Sequence, residues 1–82
     1  MDKLTTLKLL ANETRLDIIE FLKKGEQCAC NIVPYTGKSQ PNVSLHLKKM
    51  EEAGLLKSRK QGTKVLYKIS DSKVLKLLNT LE

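Results

Sequence analysis

Two cysteines stand two residues apart, at Cys28 and Cys30, and the chain has no others. Thiols this close can ligate a soft metal ion together or be oxidised to one another. Backbone conformation decides whether they can act together. At i, i+2 two side chains share a face in extended backbone but diverge by about 200° in an α-helix. Joint ligation therefore requires the segment ahead of Asn31 to be, or to become, non-helical. The intracellular setting expected for this chain disfavours a structural disulfide. The bland alternative is that both are small buried apolar residues, a reading weakened by Ala29 and Ile32, which already supply apolar spacing.

A second chemical set lies in Ser39 to Leu56, Ser-Gln-Pro-Asn-Val-Ser-Leu-His-Leu-Lys-Lys-Met-Glu-Glu-Ala-Gly-Leu-Leu. Ser39 is the expected N-cap, Pro41 is tolerated in a first turn whose N–H groups lack intrahelical partners, and Gly54 supplies the stop. At 100° per residue Val43, Leu47 and Met50 fall on one stripe with His46 at its margin, and Pro41, Ser44, Leu45 and Lys48 lie opposite. A hydroxyl and an exposed leucine suit close approach to base edges and thymine methyls better than they suit an ordinary solvated face.

These residues need elements to hold them. Leu4, Leu7 and Leu10 suggest a short first helix. Asn12 can cap a second, Glu13 to Leu22, with Leu16, Ile19 and Leu22 at i, i+3 spacing and Ile18 and Phe21 widening the stripe. Asn31 is the expected cap of a brief third helix, and a turn at Gly37-Lys38 leads into the long one, the order of a helix-turn-helix. Beyond Gly54, Leu55 to Arg59 and Val65 to Ile69 read as a β-hairpin around a basic tip, Lys60-Gln61-Gly62-Thr63-Lys64. Asp71 or Ser72 can cap a last helix bearing Val74, Leu75, Leu77 and Leu78. With Leu4, Leu7 and Leu10 that apolar helix is the candidate dimer surface, unless it packs back on the protein's own core. The expected fold is mainly α with a small β-hairpin: a winged helix-turn-helix of about five helices plus a two-stranded wing, forming one domain over residues 1–82.

The formal net charge of +6 is unevenly placed. Residues 1–37 carry five basic and five acidic side chains, residues 69–82 two of each, and residues 38–68 eight basic against two acidic. Lys38, Lys48, Lys49, Lys57, Arg59, Lys60, Lys64 and Lys68 could neutralise phosphates, giving an affinity that falls steeply with salt. No run approaches a membrane span and no signal-peptide pattern opens the chain, so a cytoplasmic location without membrane association is expected. The terminal Leu81-Glu82 carries no argument. With one histidine and neither a nucleophile elbow nor a phosphate loop, no catalytic constellation is present.

Five blocks, Leu9 to Leu16, Glu26 to Ile32, Ser39 to Leu47, Ala53 to Leu56 and Arg59 to Gly62, together resemble the ArsR/SmtB family of metal-sensing winged-helix repressors. The match runs roughly from Leu4 to Ser70. It implies a homodimer built from the first and last helices (Leu4, Leu7, Val74, Leu77, Leu78) on a palindromic double-stranded DNA operator, released by an inducer. Gln40, Ser44 and Leu45 would meet base edges, with Ser39, Asn42, Lys38, Lys48 and Lys49 nearby and Arg59, Lys60, Gln61, Thr63 and Lys64 in the wing. Two-fold symmetry would set half-sites about 34 Å apart. His46 matches the family's usual histidine, with a structural role favoured over base contact.

The resemblance also makes Cys28 and Cys30 the metal ligands, in a motif at the entrance to the helix that supports the reading helix. Soft thiolates select arsenite, antimonite, cadmium, lead, zinc or copper(I) over magnesium or calcium. Binding would pull on the Asn31 cap and shift the turn that follows. No cofactor is required. Arsenic sensors of the family often carry a third cysteine where this chain has Val33; cadmium and lead sensors add cysteines from an N-terminal arm; the last-helix Asp/His/Glu site finds only Asp71. A solvent thiol, water or Glu26 is the expected third ligand, since the 34 Å separation argues against a tetrathiolate shared across the dimer. The expected function is thus a dimeric repressor released by a thiophilic ion. The alternatives are a redox-responsive or ligand-independent DNA binder, and a protein-interaction module with weak DNA binding.

Overall fold

The computed structural model describes the backbone of residues 3–81, and the side chains of these except Lys3, Thr6 and residues 77–81. In order come α1 (Lys3–Leu10), α2 (Glu13–Leu22), β1 (Gln27–Cys28), α3 (Ala29–Thr36), α4 (Gln40–Glu52), β2 (Leu56–Gln61), β3 (Lys64–Ile69) and α5 (Ser72–Leu81). This is a winged helix-turn-helix, with one addition to the expected hairpin. The sheet has three antiparallel strands in the order β1-β3-β2, the extra strand pairing Gln27 with Tyr67 and Cys28 with Leu66. Two residues carry no readable alternation, which hid this strand from pattern analysis.

Local signals set most boundaries. Asn12 caps α2 by accepting the Arg15 N–H at 3.1 Å, and Ser39 caps α4 by accepting that of Asn42 at 3.3 Å. Gly37, at φ +71°, ends α3 in the left-handed conformation that only glycine adopts without cost. The wing departs from expectation in its tip. Ladder pairing continues through Lys60–Val65 and Gln61–Lys64, so the five-residue tip contracts to Gly62-Thr63. Gly62 at φ +64° in the first central position is what a two-residue hairpin turn demands.

The core joins Leu10, Ile18, Ile19, Leu22, Ile32, Val43, Leu47, Met50, Leu55, Leu56 and Val74. The stripe expected on α4 (Val43, Leu47, Met50) is buried in full. On α2 the buried face is Thr14, Ile18, Ile19 and Leu22; Leu16 points outward, 37% exposed. The buried positions are four apart from Thr14 to Ile18 to Leu22, and Leu16 lies off that row.

The expected dimer surface divides. Leu4 is exposed and Leu7 half-buried, whereas Leu10 and Val74 sit in the protomer's own core, so Val74 is withdrawn from the interface set. Leu77 and Leu78 lie outside the described side chains. No helix among the described residues is long and apolar enough to cross a membrane.

Candidate functional site

The third helix starts earlier than its sequence suggests. Its N-cap is Cys28, in extended backbone at φ −67°, ψ 142°, and the Cys28 sulfur accepts the Cys30 N–H at 3.1 Å. Asn31 is instead the third residue of the helix. This corrects the expected cap and explains how two thiols at i, i+2 meet. Cys28 is still on the strand while Cys30 is already in the first helical turn, so the divergence of side chains within a helix does not apply. Their Cα atoms are 5.1 Å apart and the sulfurs are joined as a disulfide, against the expectation that such a bond is disfavoured. The separation falls within the ordinary span for disulfides. Cys28 is buried and Cys30 exposed, so the pair reaches solvent on one side.

The pair opens into a cleft of about 580 Å³ that sequence reasoning did not foresee. Cys28 and Cys30 share its lining with Gln40 and Ser44 of α4 and Thr63, Lys64 and Val65 of the wing. Ala29, Val33, Pro34 and Leu47 complete it. Residues chosen separately for thiol chemistry and for base reading thus border one space.

Along α4 and before it, Lys38, Ser39, Gln40, Asn42, Ser44, Leu45, Lys48 and Lys49 are all exposed, Leu45 to 54%. Ser39 spends its oxygen on the cap and keeps its O–H to donate. On the wing Lys60, Gln61, Thr63 and Lys64 are exposed. Arg59 is engaged. Its Nε donates to Glu26 Oε2 at 2.9 Å and its Nη2 to Glu26 Oε1 at 2.7 Å, a two-pronged pair tying β2 to the residue just before β1. The Arg59 hydrogen bond is the main reason the Glu26 carboxyl lies below its ordinary range. Glu26, expected as a third metal ligand, is therefore already committed. Among the described residues no three His, Cys, Asp or Glu side chains gather where they could hold a metal ion. Only on reduction would the pair offer two sulfurs as donors.

His46 has a structural place. Its Nδ1 accepts from Arg15 Nε at 3.1 Å, while Arg15 Nη1 donates to the Leu9 carbonyl at 3.2 Å, linking α1, α2 and α4. Partial burial, then the charges of Arg15 and Lys49, hold its pKa below the usual histidine value, keeping the ring neutral and able to accept. The Arg15–His46 and Glu26–Arg59 pairs and the cleft were not foreseen from the sequence, which offered Glu26 as a metal ligand instead.

Comparison with known proteins agrees with this geometry. Residues 12–58 match the profile of the bacterial regulatory protein, arsR family. The arsenical resistance operon repressor of Escherichia coli K12 is 47% identical over 64 residues, covering 77% of this chain and 55% of that protein. The chain thus spans little more than half of that relative's length. The solution structure of a homodimeric winged helix-turn-helix DNA-binding domain from Mycobacterium bovis, described as a possible ArsR-family regulator, superposes with a TM-score of 0.84. It is 32% identical, with 93% of this chain and 70% of that one covered. The crystal structure of an antimony-specific transcriptional repressor gives a TM-score of 0.84 at 28% identity, covering 94% and 70%. These are transcriptional regulators rather than enzymes. From the profile match, the fold and the reading-helix geometry together, the chain belongs to the arsR family of bacterial regulatory proteins.

Proposed function

We propose that the chain acts as a homodimeric repressor on a palindromic double-stranded DNA operator, and that a thiophilic ion binding Cys28 and Cys30 releases it. The observation that carries this reading is the shared cleft, which sets the cysteine pair beside Gln40 and Ser44 of the exposed α4 face. In the reduced protein a ligand across both sulfurs would link the end of β1 to the first turn of α3. It would act on the Cys28 cap rather than on Asn31. Release requires only that the ligand bind the DNA-incompetent arrangement more tightly. The names of the relatives, an arsenical resistance repressor and an antimony-specific one, favour arsenite and antimonite ahead of cadmium, lead or zinc.

Gln40, Asn42, Ser44 and Leu45 read base edges in this proposal, with Lys38, Lys48, Lys49, Lys60 and Lys64 on phosphates and Gln61 and Thr63 at the wing tip. Arg59 is assigned to hold the wing through Glu26. The exposed Leu4 and half-buried Leu7, with the outer face of α5, form the dimer contact, as the homodimeric relative from Mycobacterium bovis suggests. A cytoplasmic location follows from this role.

The test is titration of reduced protein with arsenite, antimonite, cadmium and zinc, following thiolate-to-metal ultraviolet absorption and operator binding together. A saturable band that is lost in Cys28→Ser/Cys30→Ser, with release of DNA at the same stoichiometry, supports the reading; no band with any ion refutes it. In a second reading, favoured by the joined sulfurs, peroxide oxidises the dithiol, forming one S–S bond and two waters. That reading needs oxidised and reduced protein to differ in operator affinity without any metal.

A further inference from the structure

Arg15 reaches two other helices with one guanidinium. Its Nη1 donates to the Leu9 carbonyl at 3.2 Å, one of the last carbonyls of α1, where the helix itself supplies no further N–H. Its Nε donates to His46 Nδ1 at 3.1 Å, on α4 between Leu45 and Leu47. A guanidinium only donates, so the second bond exists only while Nδ1 is an unprotonated acceptor and the ring proton is on Nε2. A proton on Nδ1 turns the acceptor into a donor facing a donor and sets one cation against another.

The surroundings leave such a charge uncompensated. The His46 ring is half-buried. The charges acting on it are Arg15 of α2 and Lys49 of α4, both positive, and among the described residues no carboxylate acts on it. From α1 the Leu9 carbonyl reaches Arg15 rather than the ring, and Lys8 is exposed. Glu26 and Asp71 lie below their ordinary ranges, so neither carboxyl takes up a proton in the range where histidine titrates.

We propose that Arg15 is a positioning residue for operator binding: it ties α1 to the reading helix α4 through His46, and a proton taken from solvent by His46 Nδ1 opens that tie and weakens DNA binding. The inference rests on the chain binding DNA as a homodimer through α1 and α4. With α1 at the dimer contact, the angle at which each protomer presents α4 to its half-site is set against α1. Arg15 is a polar link between the two. The sign of the effect is diagnostic. A histidine touching a phosphate gains affinity on protonation, because the new charge meets an anion. A histidine that holds the reading helix through Arg15 loses it.

The chain has one histidine, so the imidazole C–H signals in a proton NMR titration belong to His46 alone. The full chain, with no metal added, is titrated from about pH 7.5 to about pH 5.0. Affinity for a palindromic duplex, selected by the wild type from random sequence at the neutral end, is followed in parallel with circular dichroism. We expect His46 to titrate below 6.5 and affinity to be level above that pH. Affinity should then fall at least about threefold by the acid end, each protomer tending toward about a tenfold loss per pH unit. His46→Asn places an amide oxygen, an acceptor at every pH, where Nδ1 stands, and should hold its neutral-end affinity to the acid end. His46→Lys carries the charge permanently and should bind more weakly than His46→Asn at the neutral end. Arg15→Ala should cost about tenfold in affinity there and abolish the acid loss. A His46 signal titrating at or above 6.5, an affinity that is level or rises toward acid, a fall that tracks unfolding, or an acid loss that survives His46→Asn overturns this inference; a selected duplex then leaves the repressor reading standing. If no duplex is selected at the neutral end, that reading falls and this one with it.

Discussion

Salt dependence of DNA binding would separate the two roles proposed for the basic wing residues. Each phosphate neutralised by a cationic side chain contributes about 0.9 to the slope of log affinity against log salt. Between 50 and 200 mM salt, a fourfold change, one contact is worth about 3.5-fold in affinity and the two copies in a dimer about 12-fold. Lys60 is exposed with no ion-pair partner among the described contacts, so Lys60→Ala should flatten the slope by about 1.8 per dimer. Arg59 faces Glu26 at 2.7 and 2.9 Å instead. The double change Glu26→Ala/Arg59→Ala leaves net charge unaltered and removes only the tie between β2 and the start of β1. It should lower affinity by the same factor at every salt concentration and leave the slope unchanged. Fluorescence anisotropy with a labelled operator duplex measures both. If the double variant flattened the slope as much as Lys60→Ala, Arg59 would be a phosphate ligand on DNA and the assignment of the pair to the wing would be wrong.

Other expectations concern the reading helix and its supports. Ser39→Ala removes the cap on Asn42 and should destabilise the fold by about 1 kcal/mol in urea denaturation. Ile32 is fully buried beneath the cysteine segment, so Ile32→Ala should cost about 2–5 kcal/mol and weaken DNA and metalloid binding together; selective loss of one would contradict its place in the common core. Gly37→Ala, at φ +71°, should cost about 1 kcal/mol by thermal melting, with the loss expressed at the turn between α3 and α4. His46 has its folded pKa depressed below the 6.5 of the unfolded chain, chiefly by burial. The unfolded state therefore binds more protons in that window. Stability is full above about pH 6.5 and declines as pH falls toward the folded value, and His46→Gln should remove that part of the decline in denaturation at stepped pH.

What could be read from the chain alone follows the range of each interaction. The α4 boundaries rest on partners within three residues, Ser39 with Asn42, so residue types in order were enough. The Val43, Leu47 and Met50 stripe was legible because helical period converts directly into a face. The Cys28 cap was not, since cysteine is an uncommon capping residue and Asn31 is a common one; the strand at Gln27–Cys28 exists only through pairing with β3, some forty residues later. Arg15 with His46 and Glu26 with Arg59 are 31 and 33 residues apart, and no local rule connects them. Val74 illustrates a further limit. An apolar residue on a last helix serves a partner or its own core equally well in sequence, and only the packing of α5 on Leu10 and its neighbours decided for the core.

The position of the cysteine pair at a joint between sheet and helix bears on how readily a sensor of the kind proposed would change what it senses. Of residues 28–34 only Cys28 and Ile32 are buried; Cys30, Asn31 and Pro34 are exposed, and Ala29 and Val33 half-buried. Substitutions at the solvent-facing positions alter donor number and cleft shape while leaving the hydrophobic centre and the exposed face of α4 as they are. If the cysteine pair is the effector site proposed above, a lineage could explore new inducers one residue at a time without first losing its operator.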